Sequence, residues 1–346
     1  MNIAMGKEQV TIHDIAKRLN ISASTVSRAL VDHPRISEAT KKKVRLMAEK
    51  LHYSPNILAS SLRKGKGNVI GVLVPNISRY FFSKVIDSIQ REANLSGYNI
   101  MICQSQESYE NELSNIDTLL NSRVDGIIMS LSAETSNYEH LYKVIDKGVP
   151  LVFFDRVPEH IDTSSVILDD YMGAYQAVEH MIMNGCRRIA FFSGPVQLNV
   201  YRNRKNGYLD ALHKYQIPIV DHYVVEALTR EKGYEETKKL FSQNEKPDGV
   251  FSSSDYSALG CILYLKENGF HMPGQVSVAG FANEPFTAIM DPELTSVEQF
   301  ANDIGKTAAE LFFDIAGQET KVKIYRREVI KPKLFVRKST IRMKQN

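Results

Sequence analysis

From Asn68 onward, short runs rich in β-branched and aromatic residues alternate with segments of helical periodicity, and this alternation constrains the fold of the 346-residue chain more than any other feature. Strands separated by helices pair in parallel, because each helix carries the chain back along the sheet, and helices then cover both faces. One round runs through NVIGVLVP, a helix from about Phe82 to Leu95, YNIMIC, a helix to Leu120, DGIIM, another helix and PLVFFD. A second round begins after Ser164 with SVILDD, a helix through Met181, RRIAFFSG, a helix near Asn203 to Lys214 and YVVEAL. It continues with a helix to Phe241, GVFSSS, a helix to Glu267 and QVSVAGF. Two similar α/β halves are expected, with a cleft at the carboxyl ends of their strands, where small ligands usually bind.

The first sixty residues follow a different pattern. In TIHDIAKRLNISASTVSRAL (residues 11–30), Thr11 is placed to cap a helix with Asp14 at its third position, and Ile12, Ile15, Ala16 and Leu19 form one apolar stripe. Asn20 and Ile21 make a turn. Ser22 then caps a second helix whose Val26 and Leu30 face inward, leaving Ala23, Ser24, Thr25, Ser27 and Arg28 open to a major groove. This is the outline of a helix-turn-helix DNA reader. Ser37 starts a third helix with Val44, Met47 and Leu51 on one face and Lys41, Lys42, Lys43 and Arg45 outside, followed by Tyr53-Ser54-Pro55-Asn56 and a short helical segment, Ile57 to Leu62.

Charge separates the two regions. The net charge of +3 conceals a basic N-terminal part: residues 1–68 hold 13 Lys and Arg against 5 Asp and Glu, whereas the remainder holds 30 against 35. The basic end is the nucleic-acid end. Cys103, Cys186 and Cys261 lie far apart, without CxxC spacing or His partners, which fits a reducing cytoplasm and gives no zinc site. The opening MNIAMGKEQV lacks the apolar core of a signal peptide, and no apolar run reaches membrane-spanning length, so the chain is expected in the cytoplasm with no membrane partner. No P-loop, GxSxG, HExxH or G-x-G-x-x-G after a strand is present, so neither catalysis nor a cofactor is expected.

Several segments appear together in one order: TIHDIAKRLNISASTVSRAL, RISEATKKKV, YSPNILASSLR, IGVLVPNIS, RRIAFFSGP, the R-x-R-x-x-G of Arg202 to Gly207, GFANEPF and LTSVEQF. By these the chain resembles, over nearly its whole length, the lactose-repressor/galactose-repressor (LacI/GalR) family of bacterial transcription regulators. The resemblance implies an N-terminal helical helix-turn-helix domain plus a periplasmic-binding-protein-like core of two parallel α/β subdomains joined by three crossovers. The expected boundaries are 8–54 for the DNA-binding domain, 55–67 for a hinge helix and linker, and 68–340 for the ligand-binding and dimerisation core. Within that core, 68–160 with 291–320 would form one subdomain and 161–290 with 321–340 the other.

The resemblance also assigns roles. Arg28 matches the base-reading position, where a guanidinium bonding guanine O6 and N7 is worth roughly 1 to 3 kcal/mol of discrimination. Ala23 and Ser24 match variable positions at the helix start, Thr25, Ser27 and Arg35 fit phosphate contacts, and Ser22 belongs to the same DNA-facing set. Asn56 would start the hinge helix, Ala59 would pack closely against its twin, and Leu62 would be the lever that wedges into the minor groove. Ile57 to Arg63 is barely two turns, and isolated helices below about 12 to 15 residues are marginal in water, so the hinge should order only on DNA beside a partner. A ligand that alters the dimer would then change operator affinity. Val31, where the family often has Asn, and Ser60, where Arg or Gln is frequent, depart from the pattern.

In the cleft, Phe81 and Phe82 match ligand-facing aromatics, and Asp155 and Arg204 match polar ligand contacts; aromatics after a strand are also common core residues. Ser254 stands where some relatives hold a ligand-binding Asn, while Asp255 is expected to cap the next helix. Ala282 replaces the usual Asp in GFANEPF, leaving Asn283 as the nearby contact with Glu284 beside it, and Leu228 replaces a stacking aromatic. The expected partners are pseudo-palindromic double-stranded operator DNA, a small-molecule effector of carbohydrate type, and a second copy of the chain. A homodimer is preferred because no heptad tail follows Lys338. The implied function is an effector-controlled repressor of carbohydrate-use genes. A regulator answering to a sugar phosphate or nucleobase, and a sugar receptor with no DNA role, are the alternatives.

Overall fold

The computed structural model describes residues 10–53, 67–318 and 324–342. The chain divides into two compact units, residues 1–67 and 68–346.

In the first unit, α1 (Ile12–Leu19), α2 (Ala23–Leu30) and α3 (Glu38–Lys50) enclose a small core of Ile15, Ala16, Val26, Ala29, Val44 and Ala48. Thr11 donates both its backbone N–H and its hydroxyl to Asp14 Oδ2 at 2.8 Å, and these bonds hold the Asp14 carboxyl below its usual range. Asn20 stops α1 in the left-handed region at φ 53°, which frees Ser22 to open α2 by accepting from Thr25 N at 3.1 Å. One expectation fails here. Lys41 is buried rather than outside, since it shares the inward face with Val44 and Ala48, and its Nζ reaches Glu38 at 2.6 Å.

The second unit begins with β1 (Val69–Val74), α4 (Tyr80–Leu95), β2 (Asn99–Gln104), α5 (Tyr109–Asn121), β3 (Gly126–Met129), α6 (Glu139–Asp146), β4 (Leu151–Phe154) and β5 (Ser164–Leu168). It continues with α7 (Asp170–Met183), β6 (Ile189–Ser193), α8 (Asn199–Lys214), β7 (Val224–Glu226), α9 (Arg230–Phe241) and β8 (Gly249–Ser252). The remaining elements are α10 (Asp255–Glu267), β9 (Ser277–Ala282), β10 (Thr295–Glu298), α11 (Ala301–Ala316), β11 (Arg327–Ile330) and β12 (Lys333–Phe335). Two six-stranded sheets result, ordered β11-β5-β4-β3-β1-β2 and β12-β10-β9-β8-β6-β7. All pairings are parallel except β10 with β12. Each sheet is covered on both faces, so its central strands are continuous apolar runs.

Two α/β halves are present, but the chain changes sheet at other points than expected. The run SVILDD was read as the start of the second half, yet Ser164–Leu168 pairs with β4 in the first sheet, and the first crossover follows at Asp169. The chain stays in the second sheet through β10 and returns only with α11; β11 then joins the first sheet and β12 the second. The boundaries at 160 and 291, and the assignment of the whole C-terminal segment to the second half, are therefore corrected. Periodicity marks a residue run as a strand but does not say which neighbour it will pair with.

Candidate functional site

The R-x-R-x-x-G segment shows how local sequence builds the cleft. A Cβ at Gly207 would lie 2.2 Å from the Tyr171 carbonyl oxygen, so only glycine lets α8 pack this closely on α7. That approach brings Arg204 against Asp170, the first residue of α7. Arg204 is 5% exposed; its Nε and Nη2 hold Asp170 Oδ1 at 2.8 and 2.7 Å, and its Nη1 donates to the Ser253 carbonyl at 2.8 Å. Its guanidinium lies 3.7 Å above the Phe281 ring centroid. Burial pushes the Asp170 carboxyl up to about 7, against the pull of Arg204.

Arg204 lines a cavity of about 130 Å³ between the two sheets, near the crossovers and the carboxyl ends of the strands. Phe81, Phe82, Asp155 and Ser254 line it too. Asp155 directly follows β4 at φ 60°, held by its N–H on Val166 O and by Asn199 Nδ2 on its own carbonyl. Its carboxylate makes no hydrogen bond among the described residues, and its nearest charge is Arg156 Nε at 3.9 Å; burial raises its pKa, opposed by Arg156 and Arg204. Phe81 and Phe82 meet edge to face at 5.2 Å and are mostly buried, so they line the cavity as part of the core. Ser254 occupies the N-cap position of α10, yet its hydroxyl makes no capping bond.

Two expectations are corrected. Asn283 is not among the residues lining this cavity: its Nδ2 donates to Glu298 and its Oδ1 accepts from Arg337, both at 2.7 Å, which ties its loop to the ends of β10 and β12. Asp255 is the first residue of α10 rather than its cap. Its carboxylate crosses to the end of β9 and accepts from Ser296 Oγ at 2.7 Å and Glu284 N at 2.8 Å, and burial pushes it up to about 6. A Cβ at Gly280 would meet Asp255 Oδ1 at 2.1 Å, so the glycine before Phe281 makes room for that carboxylate.

Sequence reasoning missed Arg79, Glu107, Arg156, Tyr201, Tyr256, Glu284 and Gln299, all of which line the cavity. Arg156 follows Asp155 directly and forks onto Glu107 at 2.6 and 3.1 Å. Position at a strand's carboxyl end was the available signal for both. The two halves also touch across the cleft through Asn199, whose side chain bonds Asp155 O and Val157 N at 3.0 Å, and through the Arg202–Glu159 ion pair.

On the DNA-reading unit, the hydroxyls of Ser24 and Thr25 both lie 2.8 Å from Ser22 Oγ at the start of α2. Ala23 packs partly on the core and Ser27 is half-buried. Arg28 and Arg35 are exposed, with no ion pair for either guanidinium among the described residues. Asn56, Ala59 and Leu62 lie outside the described residues. Among those that are described, no helix is long and apolar enough to cross a membrane.

A helix-turn-helix unit in one chain with a two-sheet ligand cleft defines a ligand-responsive transcriptional regulator. Residues 11–56 match the family model for bacterial regulatory proteins, lacI family, and residues 178–340 match the periplasmic binding protein-like domain. Catabolite control protein A of Priestia megaterium is 33% identical over 313 residues, covering 90% of this chain and 94% of that protein. The probable HTH-type transcriptional repressor ExuR of Bacillus subtilis (strain 168) is 32% identical over 320 residues, covering 91% and 94%. A solved complex of the transcriptional regulator CelR with cellobiose superposes with a TM-score of 0.72 at 25% identity, covering 95% of this chain and 99% of that one. The chain belongs to the lacI family of bacterial regulatory proteins; it is a DNA-binding transcriptional regulator with an effector-binding core.

Proposed function

We propose that the protein acts in the cytoplasm as a homodimeric repressor of carbohydrate-use genes, without enzymatic activity, and that a small sugar in the core cleft sets its affinity for a pseudo-palindromic operator. Residues 8–54 bind the DNA, 55–67 form the hinge and 68–340 bind the effector. Arg28 reads a guanine in each half-site, Ser22, Ser24, Thr25, Ser27 and Arg35 contact the backbone beside Ala23, and Asn56, Ala59 and Leu62 form the hinge that bends the duplex. The observation that carries this reading is the convergence of Asp155, Arg204 and Ser254 on one cleft in a chain that also carries a helix-turn-helix. Arg204 has donors beyond those used by Asp170 and Ser253, and Asp155 accepts, which suits neighbouring sugar hydroxyls. The cellobiose held by CelR favours a sugar over a nucleobase.

The test uses duplexes selected from a random pool by the full-length protein. A twofold-symmetric site is expected, with log affinity falling linearly in log salt. The affinity for that site should change when a sugar from a panel is added. A flat salt response would sink the DNA assignment, and sugar-independent binding across the panel would sink the effector assignment.

A further inference from the structure

We propose that Glu284, acting with Asp155, makes the cleft select a sugar that carries neither phosphate nor carboxylate, a specificity that rests on the cleft being the effector site. The cleft holds three guanidinium groups, but two are already engaged: Arg156 forks onto Glu107, and Arg204 is bound to Asp170 and the Ser253 carbonyl. The third, Arg79, lies 4.7 Å over the Tyr256 ring and faces the charge of Glu284. Arg79 is thus the one lining guanidinium not already bound to a carboxylate, and it stands against two lining carboxylates that are themselves unpaired by hydrogen bonds.

Two carboxylates that line the cavity, Glu284 and Asp155, accept no hydrogen bond among the described residues, whereas Arg156 keeps one buried N–H without a partner, its Nε. Glu284 is 5% exposed, lines the cavity, and its side chain makes no hydrogen bond or ion pair among the described residues. Burial and the neighbouring Asp255 carboxylate push it up to about 7, opposed by Arg79, the behaviour of an acid short of donors. Its mount is rigid: its N–H is fixed on Asp255 Oδ2, and Asp255 is fixed in turn by Ser296. Ala282 offers no polar group, so Glu284 is the one carboxylate that the second sheet's side contributes among the lining residues. Asp155, 7% exposed, lines the same cavity from just beyond the end of β4 in the first sheet. Hydroxyl or ammonium donors reaching both carboxylates would satisfy two buried acceptors and link the two halves, whereas a phosphate would add like charge beside them.

The test is calorimetric titration of the full-length protein at pH 8 with matched probes: glucose, glucosamine and cellobiose against glucose 6-phosphate and glucuronate. At least one non-anionic probe should bind at least tenfold tighter than the anionic ones. Glu284→Gln removes a buried charge without changing shape, so folding should persist, and it should narrow that ratio at least fivefold. Tighter binding of an anionic probe, or a ratio unchanged in Glu284→Gln, would overturn the inference while leaving the cleft as the effector site. Binding by none of the probes would overturn the sugar reading of the cleft and this inference with it.

Discussion

The two functional regions handle charge in opposite ways. On the helix-turn-helix unit, Arg28 and Arg35 stand exposed and without ion pairs among the described residues, as the proposed contact with a polyanion requires, since that attraction is long-ranged and releases counterions. In the cleft, Arg156 and Arg204 are each less than a tenth exposed and bound in advance to Glu107 and Asp170. A surface cation gains affinity from any phosphate. A buried, paired one can only contribute directed donors, and so it selects geometry instead of charge.

The sharpest way to break this contrast is Arg204→Ala. Removing one member of a buried pair leaves Asp170 uncompensated, which costs about 3–5 kcal/mol of stability in comparable pairs. Urea denaturation should show such a loss, much of it recovered in the Arg204→Ala/Asp170→Asn double variant. That double variant, once folded, should bind operator like the parent and ignore the effector. A well-folded variant that keeps its effector response would remove Arg204 from the proposed site.

Arg28→Ala should act on the other side of the comparison, without loss of stability. The selected duplex should lose about 1–3 kcal/mol of binding while random DNA loses less, as read by anisotropy. Equal losses would make Arg28 a phosphate contact.

Smaller still, Ser22→Ala deletes the hydroxyl that accepts from Thr25 N, and about 1 kcal/mol should disappear from the stability of the first unit. Hydrogen exchange of the α2 amides would report it. An unchanged rate would show that the Ser24 and Thr25 hydroxyls substitute for the cap.

A change of pH tests the buried carboxyls of the cleft side of the comparison. Asp170, Asp255 and Glu284 are raised to about 7, 6 and 7, whereas unfolded carboxyls titrate near 4. Between those values the folded core binds more protons than the unfolded chain. The stability these groups contribute is thus complete below about pH 4 and is lost as pH rises through about 6 to 7. Melting of the effector-free protein should therefore come higher at pH 5.5 than at 7.5, by on the order of 10 °C at about 2–4 °C per kcal/mol. Glu284→Gln should flatten that difference, and an unaltered slope would assign it to other groups.

Much of the molecule could be read from local patterns. The caps at Thr11 and Ser22, the turn at Asn20 and the apolar stripe of α1 follow from residue types a few positions apart, and all appear as read. Lys41 escaped because its place on the inward face conflicts with its charge, and a long stem resolved the conflict by packing while its head reached Glu38. In the cleft, Asp155 and Arg204 stood out as polar residues within or just after recognisable segments. Glu107 was marked only by its place just after a strand, and Glu284 only by lying beside Asn283 in GFANEPF.

Local residue patterns set the element types, the duality of a helical basic head and an α/β core, and the glycines at 207 and 280 on which close packing depends, because these follow from interactions within a few residues or from the absence of a side chain. Which sheet each strand joins is a matter of long-range packing, which sets Ser164–Leu168 and Arg327–Ile330 side by side in the first sheet. The same packing turned Asn283 toward Glu298 and Arg337 while leaving Glu284 to face the cavity. Neighbouring residues with similar side chains differ there because a buried polar group goes wherever a distant partner is available. That availability depends on contacts between residues far apart in the chain, which no local pattern records.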